Sequence, residues 1–219
     1  MKDIQLFLAG DSTVSDYGAS AAPRAGWGQR IEECLKTDMV VRNEAASGRS
    51  SKSFIEEGRL ERILEQIQRG DYLFIQFGHN DQKPDERRTE PYGTFQQYLR
   101  RYVDSARLKK AIPALITPVQ RRSFDTQGRL KHTHGDYPDA MRQLAAELQV
   151  PLIDLTLKSG RLLQSLGPEA SKKLFLWLEP GEHPNYPDGA EDNTHFCEYG
   201  AGEIAKLVAL GAREAGLLL

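Results

Sequence analysis

The 219-residue chain contains two cysteines, Cys34 and Cys197, far apart in sequence. That is too few for a disulfide-stapled scaffold; two free thiols are expected, with one disulfide between them as the alternative. No Cys/His spacing of the zinc-site kind occurs, and no Gly-rich phosphate cradle or RNA-binding aromatic motif, so neither a metal nor an organic cofactor is expected. No apolar run reaches the length needed to cross a bilayer. Nor does a leader-like apolar region with a small-residue cleavage site follow Met1, so a cytoplasmic setting is expected. Neither sign of charge dominates: 29 Lys and Arg face 31 Asp and Glu, for a net charge of -2. The charges are interspersed, which argues against nucleic acid or an anionic membrane as partner. The pairs Arg87–Arg88, Arg100–Arg101 and Arg121–Arg122 read as solvated surface. Internal repeats and low-complexity segments are also lacking.

What remains is a soluble globular composition, with 39% apolar and 8% aromatic residues, of a length that suits one domain over 1–219. Short apolar runs alternate with amphipathic stretches. Strands are expected at Ile4–Ala9, Met39–Arg42, within Asp71–Phe77, at Pro113–Thr117 and at Pro151–Leu155. Helices are expected at Trp27–Leu35, Ser53–Ile67, Thr94–Lys110, Asp139–Leu148, in pieces from Thr156 to about Leu176, and from about Tyr199 to Ala215. Such alternation implies an α/β fold, a parallel sheet with helices on both faces. Gly181–Asn193 is rich in Pro, Gly and acidic residues and reads as a surface loop. In open parallel sheets, sites form at the carboxyl ends of the strands, and that is where the polar motifs fall.

Gly10-Asp-Ser-Thr13 follows the first strand and offers a hydroxyl nucleophile, Ser12. Asn43-Glu-Ala-Ala-Ser-Gly-Arg-Ser50 follows the second; Gly48 lets the backbone approach a ligand and aim an N–H at it. Gly78-His-Asn-Asp81 follows the third, where the Asn80 amide supplies donors suited to an oxyanion. Asp192-Asn-Thr-His195 precedes the last helix, with a spacing that lets the carboxylate accept from the imidazole on one turn. Taken singly, each motif also reads as a turn or a cap. Together they supply a nucleophile (Ser12), a base (His195), an orienting acid (Asp192) and an oxyanion hole from the N–H of Ser12, the N–H of Gly48 and the side chain of Asn80.

These residues resemble the SGNH hydrolases, named for Ser, Gly, Asn and His, with Ser12, Gly48, Asn80 and His195 at the four positions. The stretches Gly26-Trp-Gly-Gln29, Thr117-Pro-Val119 with Arg121–Arg122, and Asp192-Asn-Thr-His-Phe196 are similar to the rhamnogalacturonan acetylesterase branch, carbohydrate esterase family twelve. The resemblance implies a flavodoxin-like three-layer α/β/α sandwich with a five-stranded parallel sheet. It also implies removal of acetyl groups from pectic rhamnogalacturonan oligosaccharides through an acetyl-enzyme on Ser12. The alternatives are another SGNH esterase (xylan acetylesterase, lysophospholipase or acyl-thioesterase) and a non-catalytic carbohydrate-binding domain. The G-x-S-x-G elbow of α/β-hydrolases is absent around Ser12. Arg49, Arg121 and Arg122 are candidates for binding an acidic sugar, because a guanidinium suits bidentate carboxylate binding. His79 is a candidate by its place beside Asn80. His132, His134 and Asp136 read as loop rather than as a metal cluster. Trp27 is a core residue or a sugar platform, Tyr137 and His134 could line a groove, and Trp177 and His183 could shape a sugar pocket.

Overall fold

The computed structural model describes residues 4–35 and 39–217, so the ends of the 1–219 domain reading lie outside it. In chain order the elements are β1 (Ile4–Gly10), β2 (Arg24–Ala25), β3 (Met39–Asn43), α1 (Ser51–Glu56), α2 (Arg59–Gln66), β4 (Tyr72–Gln76) and α3 (Gln96–Leu108). They continue with β5 (Ile112–Ile116), α4 (Tyr137–Leu148), β6 (Leu152–Ile153), α5 (Leu155–Ala170), β7 (Phe175–Leu178), β8 (Ala190–Cys197) and α6 (Glu198–Glu214). Strands β3-β1-β4-β5-β6 form a five-stranded sheet whose paired strands are all parallel. The expected α/β/α architecture is therefore present.

Both faces of this sheet are covered, which is why its strands read as near-continuous apolar runs. Leu6, Leu8, Phe74 and Ile116 pack on one side with Trp27, Ile31, Leu155, Ile204 and Val208. The alternate residues Phe7, Ala9, Leu73, Ile75 and Leu115 pack on the other with Phe54, Leu99, Tyr102 and Leu144. In order of appearance the five strands run 2-1-3-4-5. The chain's direction of winding reverses between β1 and β4, and the carboxyl edge at that point is where open α/β sheets place their sites. Ser12 follows β1 and Asn80 follows β4.

Several expectations are corrected. Trp27–Leu35 is two short 3-10 turns, Trp27–Gln29 and Ile31–Cys34, divided at Arg30, whose φ of -112 and ψ of -4 depart from continuous α-helix. The Ser53–Ile67 helix is broken into α1 and α2 by Gly58, which sits in the left-handed region at φ 70. Helix does not continue to Leu176; Phe175–Leu178 is strand β7. The loop at Gly181–Asn193 gives way at Ala190 to strand β8. Strands β2, β8 and β7 form a second, antiparallel sheet that local periodicity does not announce. Its pairing is long-range: Ala25 lies opposite Phe196, and Phe175 opposite Phe196 on the other side. Cys34 and Cys197 are unpaired. Among the described residues no helix is long and apolar enough to cross a membrane.

Candidate active site

Ser12 lies in the tight turn that ends β1, where Val14 and Ser15 both donate backbone N–H groups to the Asp11 carbonyl at 3.1 Å. The neighbouring Asp11 side chain is fully buried, and its Oδ1 accepts from the Thr13 N–H at 2.9 Å and the Thr13 hydroxyl at 2.8 Å. Thr13 Oγ1 in turn accepts from Gln76 Nε2 at 2.6 Å, and Gln76 Oε1 accepts from Trp27 Nε1 at 2.8 Å. This buried chain locks the turn to β4. It also answers the question about Trp27, which is a core residue, 1% exposed, and not a sugar platform. Burial pushes the Asp11 carboxyl up to about 6, against the opposing pull of the Thr13 hydrogen bonds and of nearby His195 and Arg121.

His195 Nε2 lies 2.9 Å from Ser12 Oγ, and His195 Nδ1 lies 2.6 Å from Asp192 Oδ2. An ionised carboxylate can only accept, so Nδ1 carries the hydrogen and Nε2 presents a lone pair to the Ser12 hydroxyl. Asp192 Oδ1 also accepts the backbone N–H groups of Thr194 at 2.7 Å and His195 at 2.9 Å. Burial alone would raise the Asp192 carboxyl, but the His195 ring and these N–H groups outweigh it and hold it at about 2.

The support for Asp192 and His195 is a strand, not the start of α6. Between Phe175 and Trp177 the β7–β8 register shifts: Phe175 faces Phe196 while Trp177 faces Glu191. Four residues of β8, 192–195, thus stand opposite the single residue Leu176 of β7, an enlarged bulge of the kind that re-aims side chains beside functional sites. Arg122 braces the bulge. Its backbone N–H donates to the Asn193 carbonyl at 2.9 Å, its Nη1 to Asn193 Oδ1 at 2.7 Å, and its Nε to the Pro168 carbonyl at 3.1 Å. The guanidinium stacks over Trp177 at 4.8 Å, and Trp177 Nε1 donates to the same Asn193 oxygen at 3.1 Å.

Gly48 adopts φ +82, a backbone conformation that favours glycine. Asn80 is 4% exposed and donates one amide hydrogen to the Arg49 carbonyl at 3.0 Å, which holds the Gly48 and Asn80 segments together. Asp81 reinforces that join. Fully buried, it accepts from the Ser51 N–H at 3.0 Å, the Ser51 hydroxyl at 2.5 Å, the Thr89 hydroxyl at 3.1 Å and the Gly78 N–H at 3.0 Å. Burial still raises its carboxyl to about 6, against the pull of Ser51 and Thr89.

The basic candidates are all engaged with protein groups. Arg49 Nε reaches both Glu57 oxygens at 2.9 and 3.0 Å. Arg121 donates to the Thr133 carbonyl at 3.1 Å and the His79 carbonyl at 3.3 Å. With its amide oxygen turned toward the guanidinium, Gln82 accepts from Arg121 as well. Arg122 is spent on the brace. His79 is buried and meets His134 Nε2 at 3.2 Å; burial foremost, then His134 and Arg121, keep it well below the usual histidine range. Tyr137 is buried and donates to the Asp81 carbonyl at 2.7 Å, and Trp177 joins the brace, so neither is a free sugar contact. His183 serves its own loop, accepting from the Asn185 N–H at 3.2 Å. The supporting roles of Asp11 and Asp81 were missed, although both lie inside the motifs. Asp11 two residues before Thr13 is the only local signal, that of an Asx turn.

A Ser, His and Asp in hydrogen-bonded line at the switch point of a 2-1-3-4-5 parallel sheet, with no G-x-S-x-G elbow, define the SGNH type of hydrolase. The model of the GDSL-like lipase/acylhydrolase family matches residues 8–196, and the chain belongs to that family of carboxylic ester hydrolases. It is 60% identical over 218 residues to rhamnogalacturonan acetylesterase RhgT of Bacillus subtilis, covering 100% of this chain and 93% of that one. It is 47% identical over 217 residues to the probable rhamnogalacturonan acetylesterase YesY of the same organism, covering 98% and 94%. The crystal structure of Bacillus subtilis YxiM matches with a TM-score of 0.84 at 29% identity; the alignment covers 98% of this chain and 57% of that longer one.

Proposed function

We propose that this chain is an esterase that removes acetyl groups from carbohydrate, with acetylated rhamnogalacturonan oligosaccharides as its substrate class. The observation that carries the reading is the hydrogen-bonded line Asp192–His195–Ser12, in a chain 60% identical along its full length to rhamnogalacturonan acetylesterase RhgT.

In the proposed reaction Ser12 Oγ attacks the acetyl carbonyl carbon as its proton passes to His195 Nε2. Asp192, ionised down to about pH 2, fixes the imidazole tautomer and stabilises the imidazolium. The carbonyl oxygen becomes an oxyanion and is met by the N–H of Ser12, the N–H of Gly48 and the second amide hydrogen of Asn80. Collapse expels the sugar alkoxide, which takes the proton from His195. Water then attacks the acetyl-Ser12 carbonyl, gives its proton to His195, and acetate leaves with Ser12 reprotonated. No step calls for a cofactor.

Acetate release from a panel of acetylated rhamnogalacturonan, xylan and neutral oligosaccharides tests the reading, with aryl esters of increasing acyl length alongside. Rhamnogalacturonan oligosaccharides should be the best substrates, and activity should collapse beyond short acyl chains. Hydrolysis of long acyl esters with no acetate from any sugar would refute the reading in favour of a lipase or thioesterase; no turnover at all would favour a binding domain. We also propose that the protein works in the cytoplasm, where unpaired Cys34 and Cys197 persist; cell fractionation tests this.

A further inference from the structure

We propose that the groove between α4 and α5 is a second carbohydrate site, one that takes the uronic acid residue of an oligosaccharide outside the catalytic centre. The inference goes beyond the esterase reading, since no part of that mechanism uses the groove. The groove encloses about 800 Å³, within the about 300–1,000 Å³ usual for small-ligand sites.

Its polar groups are set for a hydroxylated acid. Gln120 lines the groove, is 2% exposed and passes its Nε2 to His132 Nδ1 at 3.0 Å, which leaves its buried Oε1 with no partner among the described residues. His134 also lines the groove, is 2% exposed, and has a buried Nδ1 without a partner. Buried polar atoms are rarely left unmatched, and a ligand hydroxyl toward which the Gln120 amide or the His134 ring turns would satisfy them.

Charge narrows the ligand further. Arg142 in the groove is neutralised by Asp139 at 2.5 Å and Asp154 at 2.9 Å. Arg161 lines the same groove, is exposed, and has no ion pair or hydrogen bond among the described residues. It is the cation left to receive a carboxylate. Leu130 and Leu157 supply apolar walls for the C–H face of a pyranose ring. Carboxylate, hydroxyls and a C–H face together describe a uronic acid. The groove also borders the catalytic edge: the His134 ring packs edge-on against His79, with centroids 4.5 Å apart, and His79 precedes Asn80.

Unacetylated digalacturonate is the probe, titrated into ¹⁵N-labelled Ser12→Ala protein so that turnover plays no part. Saturable shifts at backbone amides of Leu157, Arg161 and Leu130 are expected. Arg161→Gln, at an exposed position, should weaken binding about ten-fold, as should the methyl ester of the probe, while aryl acetate turnover by an otherwise wild-type Arg161→Gln enzyme stays unchanged. Absence of saturable binding, shifts confined to the surroundings of residue 12 and His195, or equal affinity for the methyl ester or for the Arg161→Gln protein would each overturn the proposal. None of these results depends on whether acetylated rhamnogalacturonan is hydrolysed.

Discussion

Replacing Arg122 should damage catalysis from a distance. Its guanidinium donates to Asn193 Oδ1 at 2.7 Å and to the Pro168 carbonyl through both Nε and Nη2, and it stacks 4.8 Å over Trp177. Hydrogen bonds from a charged group contribute about 1.5–3 kcal/mol each and a partly exposed cation–π contact about 0.5–1 kcal/mol. These contacts share one half-exposed side chain and are not additive, so Arg122→Ala should cost about 2–4 kcal/mol of stability. The kinetic effect is separate. Asn193 lies in the surplus segment between Asp192 and His195, and loss of its anchor lets that segment drift. A displacement near 1 Å costs about 10²-fold in rate. Arg122→Lys keeps the charge but lacks the fork needed to hold Pro168 and Asn193 together, so it should fall between. The assay is kcat on an aryl acetate at a temperature where denaturant titration shows each variant fully folded. Lower stability with unchanged kcat would refute the reasoning: the Asx turn made by Asp192 would then suffice to hold the bulge.

Asn80→Ala should lower kcat about 10²–10³-fold, with a small change in melting temperature; wild-type turnover would remove the amide from the mechanism. Gly48→Ala has room for its Cβ, the nearest atom being Arg87 Nη1 at 3.9 Å, but must hold φ +82. A loss of about 1–2 kcal/mol is expected by thermal denaturation, together with reduced kcat. Asp11 carries a carboxyl raised to about 6 in the folded protein against 3.8 unfolded. Between those values the native state binds more protons, so this group lowers stability as pH rises from about 4 to about 6. Asp11→Asn abolishes that contribution. The stability of the variant relative to wild type should therefore climb across this window, by on the order of 2–3 kcal/mol at most, and a difference constant with pH would contradict it.

The parallel sheet was legible because its strands are buried on both faces and each is followed by a polar motif at the carboxyl end. Ser12, Gly48, Asn80, Asp192 and His195 could be picked out because their residue types and order form a set, although what each does was not readable from any one motif. The antiparallel sheet was illegible. Its pairing joins a two-residue strand, Arg24–Ala25, to residues about 170 positions later, and Phe175–Leu178 becomes strand only because β8 lies beside it. The bulge that carries Asp192 and His195 is a register shift between two strands, and no local pattern encodes it. The basic candidates show the same limit. Spacing located Arg49, Arg121 and Arg122 near the motifs, but partners distant in sequence, such as Pro168, Asn193 and His79, decide where two of these guanidinium groups point.

The account rests on Ser12 as the nucleophile, and covalent labelling tests this most directly. After exposure to an organophosphate, peptide mass spectrometry of the wild-type protein should find one adduct, on Ser12, with esterase activity lost in proportion. His195→Ala protein should label far more slowly. An adduct on any other residue, or full inactivation with Ser12 unmodified, would contradict it.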